Sequence, residues 1–293
     1  MSAAEELARA AAGISEALDC LLPRPTGPGG HVAEAMRHSI QGGKRIRPFV
    51  CLKAGETFGA EPQAFMLAAC GLEMIHTATL IHDDLPSIDD SHLRRGRPTC
   101  HVAFDEPTAI LAGDALLIEG FRAIARQVET APADRVAQVV AEVARFAGAE
   151  GVVAGEAADI RAEGQKPDVQ ALAYIHEHKT AALFEACVRA GAILAGADRA
   201  GLNAITEYGR SFGLVFQITD DLLDVVGQHQ ALGKPAGADA ARGKLTYPSL
   251  YGVARSRERA AELARAGRQQ AGRLPALSAF WCELLDLLLS RTA

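Results

Sequence analysis

The stretch AFMLAACGLEMIHTATLIHDDLPSIDD, residues 64–90, decides the fold. From Ala64 to His82 it is apolar nearly all the way round at helical spacing, which marks a helix buried on every side. Such a helix belongs at the centre of a bundle, yet its apolar body runs straight into Asp83, Asp84, Asp89 and Asp90. Six residues of ideal helix turn through about 240°, so Asp83 and Asp89 share no face if the helix continues. Pro86 has no N–H for an interior helical bond and biases Leu85 away from helical angles. The chain is therefore expected to bend there and return Asp89 toward Asp83.

The rest of the chain agrees with an all-α reading. Hydrophobic residues make up 49% of the 293 residues and aromatics 5%, with Ala and Leu far outnumbering β-branched residues, a balance that favours packed helices. The Pro/Gly connector LLPRPTGPGG (Leu21 to Gly30) separates an amphipathic first helix from the later helices. Val136, Val139, Val140, Val143 and Phe146 form a core-facing stripe after Pro132, and further periodic stretches run from Val169 to Leu194 and from Leu202 to Val225. Neither alternating strand patterns nor a repeat is visible. The expected architecture is one large helical bundle of about ten helices, with residues 1–293 as a single domain.

Composition also excludes functions. A net charge of -6 gives no basic field to hold nucleic acid. The start, MSAAEELARAAAGIS, is acidic and lacks a signal peptide's positive and apolar regions, so a cytoplasmic location is expected. Apolar runs such as Phe212 to Ile218 fall far short of the ~20 residues that span a bilayer. Cys20, Cys51, Cys70, Cys100, Cys187 and Cys282 show no metal-binding spacing and read as reduced packing thiols.

A second acidic cluster, FQITDDLLDVVG, places Asp220 and Asp221 four and three residues before Asp224, on one face of an apolar helix. Either cluster alone equally suits helix caps or turns. Two of them, 137 positions apart, suit facing helices of one bundle across a cavity, where buried carboxylates require cations. Magnesium is the natural candidate, because it takes a few carboxylates and leaves positions for water and phosphate oxygens. An EF-hand fails, since Leu85 and Pro86 stand where ligands and a glycine turn belong.

Basic residues complete a site for an anion. Lys44, Arg45 and Arg47 follow paired glycines in IQGGKRIRPFV, an arrangement that suits a diphosphate as well as a solvated turn. Arg94 and Arg95 follow the first acidic cluster; Lys179 and Thr180 occur in EHKTAALF, and Lys234 and Lys244 in LGKPAGADAARGKLTYPSL. The glycines around the last two lysines suggest a loop that closes over a bound diphosphate.

The ordered set GGKRIRP, IHDDLPSIDDSHLRRGRPT, HKT, FQITDDLLD and GKPAGADAARGKLTYP resembles the short-chain trans-prenyl diphosphate synthases, farnesyl and geranylgeranyl, from about Gly42 to Leu250. The resemblance implies the isoprenoid synthase fold, a helical bundle around a central cavity, and a homodimer. It implies magnesium-dependent head-to-tail addition of isopentenyl diphosphate to an allylic diphosphate, with three Mg2+ ions. Asp83 and Asp89 then resemble the ligands of two ions, with Asp84 beside them, and Asp220 resembles the main ligand of a third, supported by Asp221 and Asp224. Lys44, Arg47, His76 and Arg95 correspond to the isopentenyl diphosphate site. Arg94, Lys179 and Lys234 correspond to the allylic site, with Lys244 in the same closing loop, while Thr180 and Gln217 correspond to positions beside the developing carbocation. The sequence departs from the family at Ser91 and His92, which thin the outer charge, and at Glu156, where Gln is common. Glu156 is either a solvated helix residue or a change of polarity near the cavity.

A terpene cyclase lacks the second DDLLD and the GGKRIRP turn, and a non-catalytic partner subunit is expected to lose metal ligands that are intact here. Ala78 and Thr79 lie five and four residues before Asp83, just over one turn deeper, and form the expected floor for a growing tail. In the resembling family a bulky aromatic there stops growth at fifteen carbons. Small residues favour geranylgeranyl diphosphate over farnesyl diphosphate, unless Ala78 simply packs on a neighbouring helix.

Overall fold

The computed structural model describes residues 2–166, 168–226 and 242–292. These residues form α-helices joined by short loops, with one two-residue antiparallel ladder, Leu93–Arg94 (β1) with Arg97–Pro98 (β2). That ladder is too short to leave an alternating pattern in the sequence.

The helices are α1 (Ala3–Leu21), α2 (Gly30–Ile40), α3 (Ile46–Thr57), α4 (Met66–Asp83), α5 (Cys100–Ala103), α6 (Glu106–Ala125) and α7 (Ala133–Ala147). After them come α8 (Val152–Ala162), α9 (Val169–Ile175), α10 (Ala182–Ala195), α11 (Arg199–Val226), α12 (Tyr247–Ala271) and α13 (Ser278–Leu289). Local chemistry marks the ends. Ser2 and Glu5 form a capping box on α1, and the Asp105 carboxylate accepts from Thr108 N–H at 2.7 Å to start α6. Gly252, at φ +77°, breaks α12 after its first turn.

The core is built around the apolar stretch that ends at Asp83. Leu72, Met74 and Ile75 of α4 are completely buried, and α4 packs on α6 through glycines. A Cβ on Gly71 would meet the Gly120 carbonyl at 2.5 Å, so the two helices approach backbone to backbone. α10 crosses α3 in the same way, Gly191 facing the Cys51 carbonyl. Val136, Val139, Val143 and Phe146 of α7 face the core as the stripe predicts. Trp281 of α13 is fully buried, donates from Nε1 to Thr57 Oγ1 at 2.9 Å, and its carbonyl accepts from the Tyr208 hydroxyl at 2.7 Å. Its truncation removes the indole donor to Thr57 and a large buried ring, costing about 3–5 kcal/mol. Among the described residues no helix is long and apolar enough to cross a membrane.

Candidate active site

The bend expected at Pro86 is present. α4 ends at Asp83, Ile88 N–H returns to the Leu85 carbonyl at 2.9 Å, and Asp89 N–H donates to the Asp83 carbonyl at 2.8 Å. Asp90 completes the turn at φ +45°, in the left-handed region that Asp tolerates better than most residues. The two carboxylates then differ sharply. Asp89 accepts from Lys244 Nζ at 2.9 and 3.1 Å, and these attractions outweigh its burial and hold its pKa below the usual range. Burial and the neighbouring Glu156 charge push the Asp83 carboxyl up to about 7.

Asp84 points elsewhere. It is buried and takes a bidentate grip from Arg94, Nε at 2.8 Å and Nη2 at 2.7 Å. Arg94 and Asp84 therefore occupy each other.

About two turns earlier along the same face of α4 lies a basic pocket. Gly42 and Gly43 carry φ of +76° and +83°, and a Cβ on Gly43 would stand 2.5 Å from the Arg95 guanidinium carbon. Glycine is required for Arg95 to lie against this turn, where its Nη1 donates to the Gly42 carbonyl at 3.3 Å. Arg47, the second residue of α3, donates from Nη1 to His76 Nε2 at 3.1 Å and stacks 4.4 Å from the Phe184 ring. Burial and then the Arg47 charge hold His76 well below its ordinary pKa, so the imidazole is neutral; Arg has only donors, so Nε2 is the acceptor. Arg47 Nε is buried with no partner. Lys44 is pushed down by partial burial and then by Arg291. Cations held side by side make a place for an anion.

The third group sits on a π-helical turn, His176–Ala181, between α9 and α10. Such turns re-aim side chains out of helical register. Here Lys179 reaches Asp159 at 2.5 Å and Glu156 at 2.7 Å, both from α8. Burial alone would lower its pKa, yet Asp159 and then Glu156 outweigh this and raise it. Gly155 allows the contact, since a Cβ there would stand 2.1 Å from Lys179 N. Thr180 Oγ1 donates to Gln217 Oε1 at 2.6 Å, and Gln217 Nε2 donates to Asp221 Oδ1 at 2.7 Å. Asp221 Oδ2 also accepts from Tyr247 N–H at 3.0 Å and lies 3.4 Å from His176 Nε2. Burial drops the His176 pKa to about 3, leaving a neutral ring.

Asp220 is the more exposed acid of its motif and lies 3.4 Å from Arg291 Nη2, whereas Asp224 is buried. Lys234 lies outside the described residues, as does most of the glycine-rich segment preceding Lys244. Of the paired small residues, Ala78 is buried and Thr79 partly so.

Four residues matter here to which sequence patterns alone assign no role, Glu73, Asp159, Arg242 and Arg291, while Arg45, grouped by sequence with Lys44 and Arg47, is instead buried against Glu73. Arg242 donates to the Ile88 carbonyl at 2.6 Å and to the Asp89 carbonyl, docking its segment on the first acidic turn. Asp159 stands three residues after Glu156, a same-face spacing that could have flagged it.

Among the described residues, no three Asp, Glu, His or Cys side chains converge as a ready-made metal cage. The donor set nonetheless fits magnesium, a hard cation that needs one or two carboxylates and completes its shell with water and phosphate. Asp83 is suited to it: burial and then the Glu156 charge raise its pKa, and a bound cation offsets both.

An all-helical bundle that sets a cationic pocket along one helix from an acidic turn interleaved with Lys179, Lys244 and Arg94 defines a class of protein built for diphosphates. The chain belongs to the polyprenyl synthetase family, matched over residues 30–277. It is 46% identical to a chloroplastic geranylgeranyl pyrophosphate synthase of Catharanthus roseus over 82% of this chain and 68% of that one. It is 42% identical to a geranylgeranyl diphosphate synthase of Cyanophora paradoxa, covering 88% and 86% of the two chains. Its fold superposes on geranylgeranyl pyrophosphate synthetase from Pyrococcus horikoshii with a TM-score of 0.86 at 28% identity, over 99% and 98% of the chains. A geranyltransferase from Helicobacter pylori, solved with magnesium and isoprenyl diphosphate, gives 0.85 at 26% identity over 99% and 97%.

Proposed function

We propose that this chain condenses isopentenyl diphosphate head to tail with an allylic diphosphate, making geranylgeranyl diphosphate. The observation that carries the reading is α4 itself, which offers His76 to Arg47 in one cationic pocket and ends at Asp83, beside Glu156 and Lys179. Two diphosphates thereby have separate seats along one rigid helix.

Isopentenyl diphosphate takes the pocket of Lys44, Arg47, His76 and Arg95. The allylic diphosphate takes the pocket of Lys179, with Lys244 and Arg94 nearby. Asp83, Asp89 and Asp220, with Asp84, Asp221 and Asp224 in support, would hold three magnesium ions, which would supply neutralising charge for the departing diphosphate. Lys179 adds charge stabilisation as the allylic C–O bond breaks. Thr180 and Gln217 present oxygens to the allylic cation; the alkene of isopentenyl diphosphate, fixed by its own pocket, then attacks. The released diphosphate removes the final proton, so no side chain is assigned as general base. Residues 1–293 act as one prenyl synthase domain. Ile110, Leu111 and Ile118 project from α6 into solvent and suit a homodimer interface. Buried thiols at Cys51, Cys70 and Cys187 fit work in a reducing cytoplasm.

The test is incubation with isopentenyl diphosphate and each allylic starter, with and without magnesium, followed by product-length analysis. No elongation with any starter would refute the reading.

A further inference from the structure

Two rungs join the start of α3 to α4. Arg45 Nη1 donates to Glu73 Oε1 at 2.8 Å, and two residues on Arg47 Nη1 donates to His76 Nε2 at 3.1 Å. Glu73 and His76 are three residues apart and share one face of α4. The first rung is dry, both side chains being 3% exposed. Arg45 also donates from Nε to Ser15 Oγ of α1 at 3.2 Å and from Nη2 to the Ile40 carbonyl of α2 at 2.5 Å. Its own backbone is left-handed, at φ +54°, immediately before α3. A non-glycine residue holds such angles only where its surroundings over-determine them, and here α1, α2 and α4 together grip one guanidinium.

A buried ion pair is a poor device for stability alone, because desolvation offsets its Coulomb gain and an apolar pair of similar volume often does as well. Neither residue reaches the substrate pocket. We propose that Arg45 and Glu73 are positioning residues for isopentenyl diphosphate. They fix the Gly42–Lys44 turn against α4, so that Lys44 and Arg47 stand at a set height above Asp83. The seven residues from His76 to Asp83 span about 10 Å of helix axis, and that length separates the two reacting partners. A shift of about 1 Å in one pocket can cost a reaction on the order of a hundredfold. This inference rests on the function proposed above.

The experiment compares Arg45→Met, Glu73→Leu and the double variant by melting temperature and by KM for each substrate. Each single change strands a buried charge and lowers stability. The double variant is expected to melt near the wild type, yet to show a KM for isopentenyl diphosphate raised roughly tenfold or more, with the allylic KM within about twofold. Recovery of the isopentenyl diphosphate KM together with stability would show a packing role only and overturn the proposal, as would an equal rise for both substrates. Should the double variant not fold, Arg45→Lys keeps the charge but loses the fork and must show the same split; an unchanged KM overturns the proposal. A wild type that elongates nothing would instead overturn the proposed function, and calorimetric binding of isopentenyl diphosphate to each variant then still reads the pair.

Discussion

Oε2 of Glu156 lies 2.7 Å from Nζ of Lys179, and Oε1 of the same carboxylate is buried without a partner. The acid that departs from the family's usual Gln is thus neither solvated nor remote. With Asp159 it occupies two of the three donors of Lys179, leaving one for phosphate.

Glu156→Gln keeps an acceptor and removes a charge that repels an incoming diphosphate. At effective dielectrics near 20, with screening, a charge several ångströms away is worth about 1 kcal/mol. A non-ionising allylic thiodiphosphate should therefore bind the variant roughly three- to tenfold more tightly in EDTA. Unchanged or weaker binding by calorimetry would show that the Glu156 charge does not reach the allylic phosphate.

Asp221 illustrates what sequence spacing cannot distinguish. Within DDLLD it looks like its neighbour Asp220, but its two oxygens accept from Gln217 and the Tyr247 N–H, while Asp220 faces Arg291. Asp221→Asn would turn a donor toward one of these donors and release Gln217 from Thr180. The expectation is a ten- to hundredfold fall in kcat with the half-saturating magnesium concentration within about twofold. A large rise in that concentration with kcat preserved would instead make Asp221 a direct magnesium ligand rather than a support to Asp220.

Much of this protein is legible in its sequence, because local chemistry decides it. The all-round apolar stretch before Asp83 can only be a central helix, and Pro86 forces the turn that brings Asp89 N–H to the Asp83 carbonyl. Legibility ends where partners are distant in the chain. Glu73 sits in an apolar helix as a lone acid, and nothing local names Arg45, 28 residues earlier, as its partner. Arg291 meets Asp220 across 71 residues. The π-helical turn that carries Lys179 packs closely on Gly155 of another helix, a contact that no periodicity announces.

Glu185 on α10 provides a pH prediction away from the metal residues. Burial raises its carboxyl to about 7, against 4.5 ordinarily, although Arg210 opposes the shift. The folded state therefore holds a proton that the unfolded chain releases. Stability contributed at low pH declines as pH rises from about 4.5 to about 7, by on the order of 1–3 kcal/mol. Glu185→Gln should match the wild type near pH 4.5 and exceed it at pH 8 in urea unfolding. Parallel curves across that range would mean that Glu185 ionises normally in the folded protein.

Product length turns on where Ala78 and Thr79 face. Ile75 packs on Gly120 of α6 and His82 on Gly113, as the 2.6 and 2.2 Å approaches of an added Cβ show. Ala78, 2% exposed, falls between them on the same stripe. Thr79 shares the face of His76 and Asp83 and ties its hydroxyl to the His76 carbonyl at 2.8 Å. A tail descending from the metal end therefore meets Thr79 on the site face and Ala78 where α4 meets α6. Ala78→Tyr inserts a ring at that seam, costing about 1–3 kcal/mol of overpacking and filling the space of the last isoprene unit. Thr79→Tyr fills the site face with less crowding. Both variants should shift the main product from twenty to fifteen carbons, with the magnesium requirement unchanged. If the wild type already stops at fifteen carbons with ample isopentenyl diphosphate, these residues are not the floor and the farnesyl alternative stands.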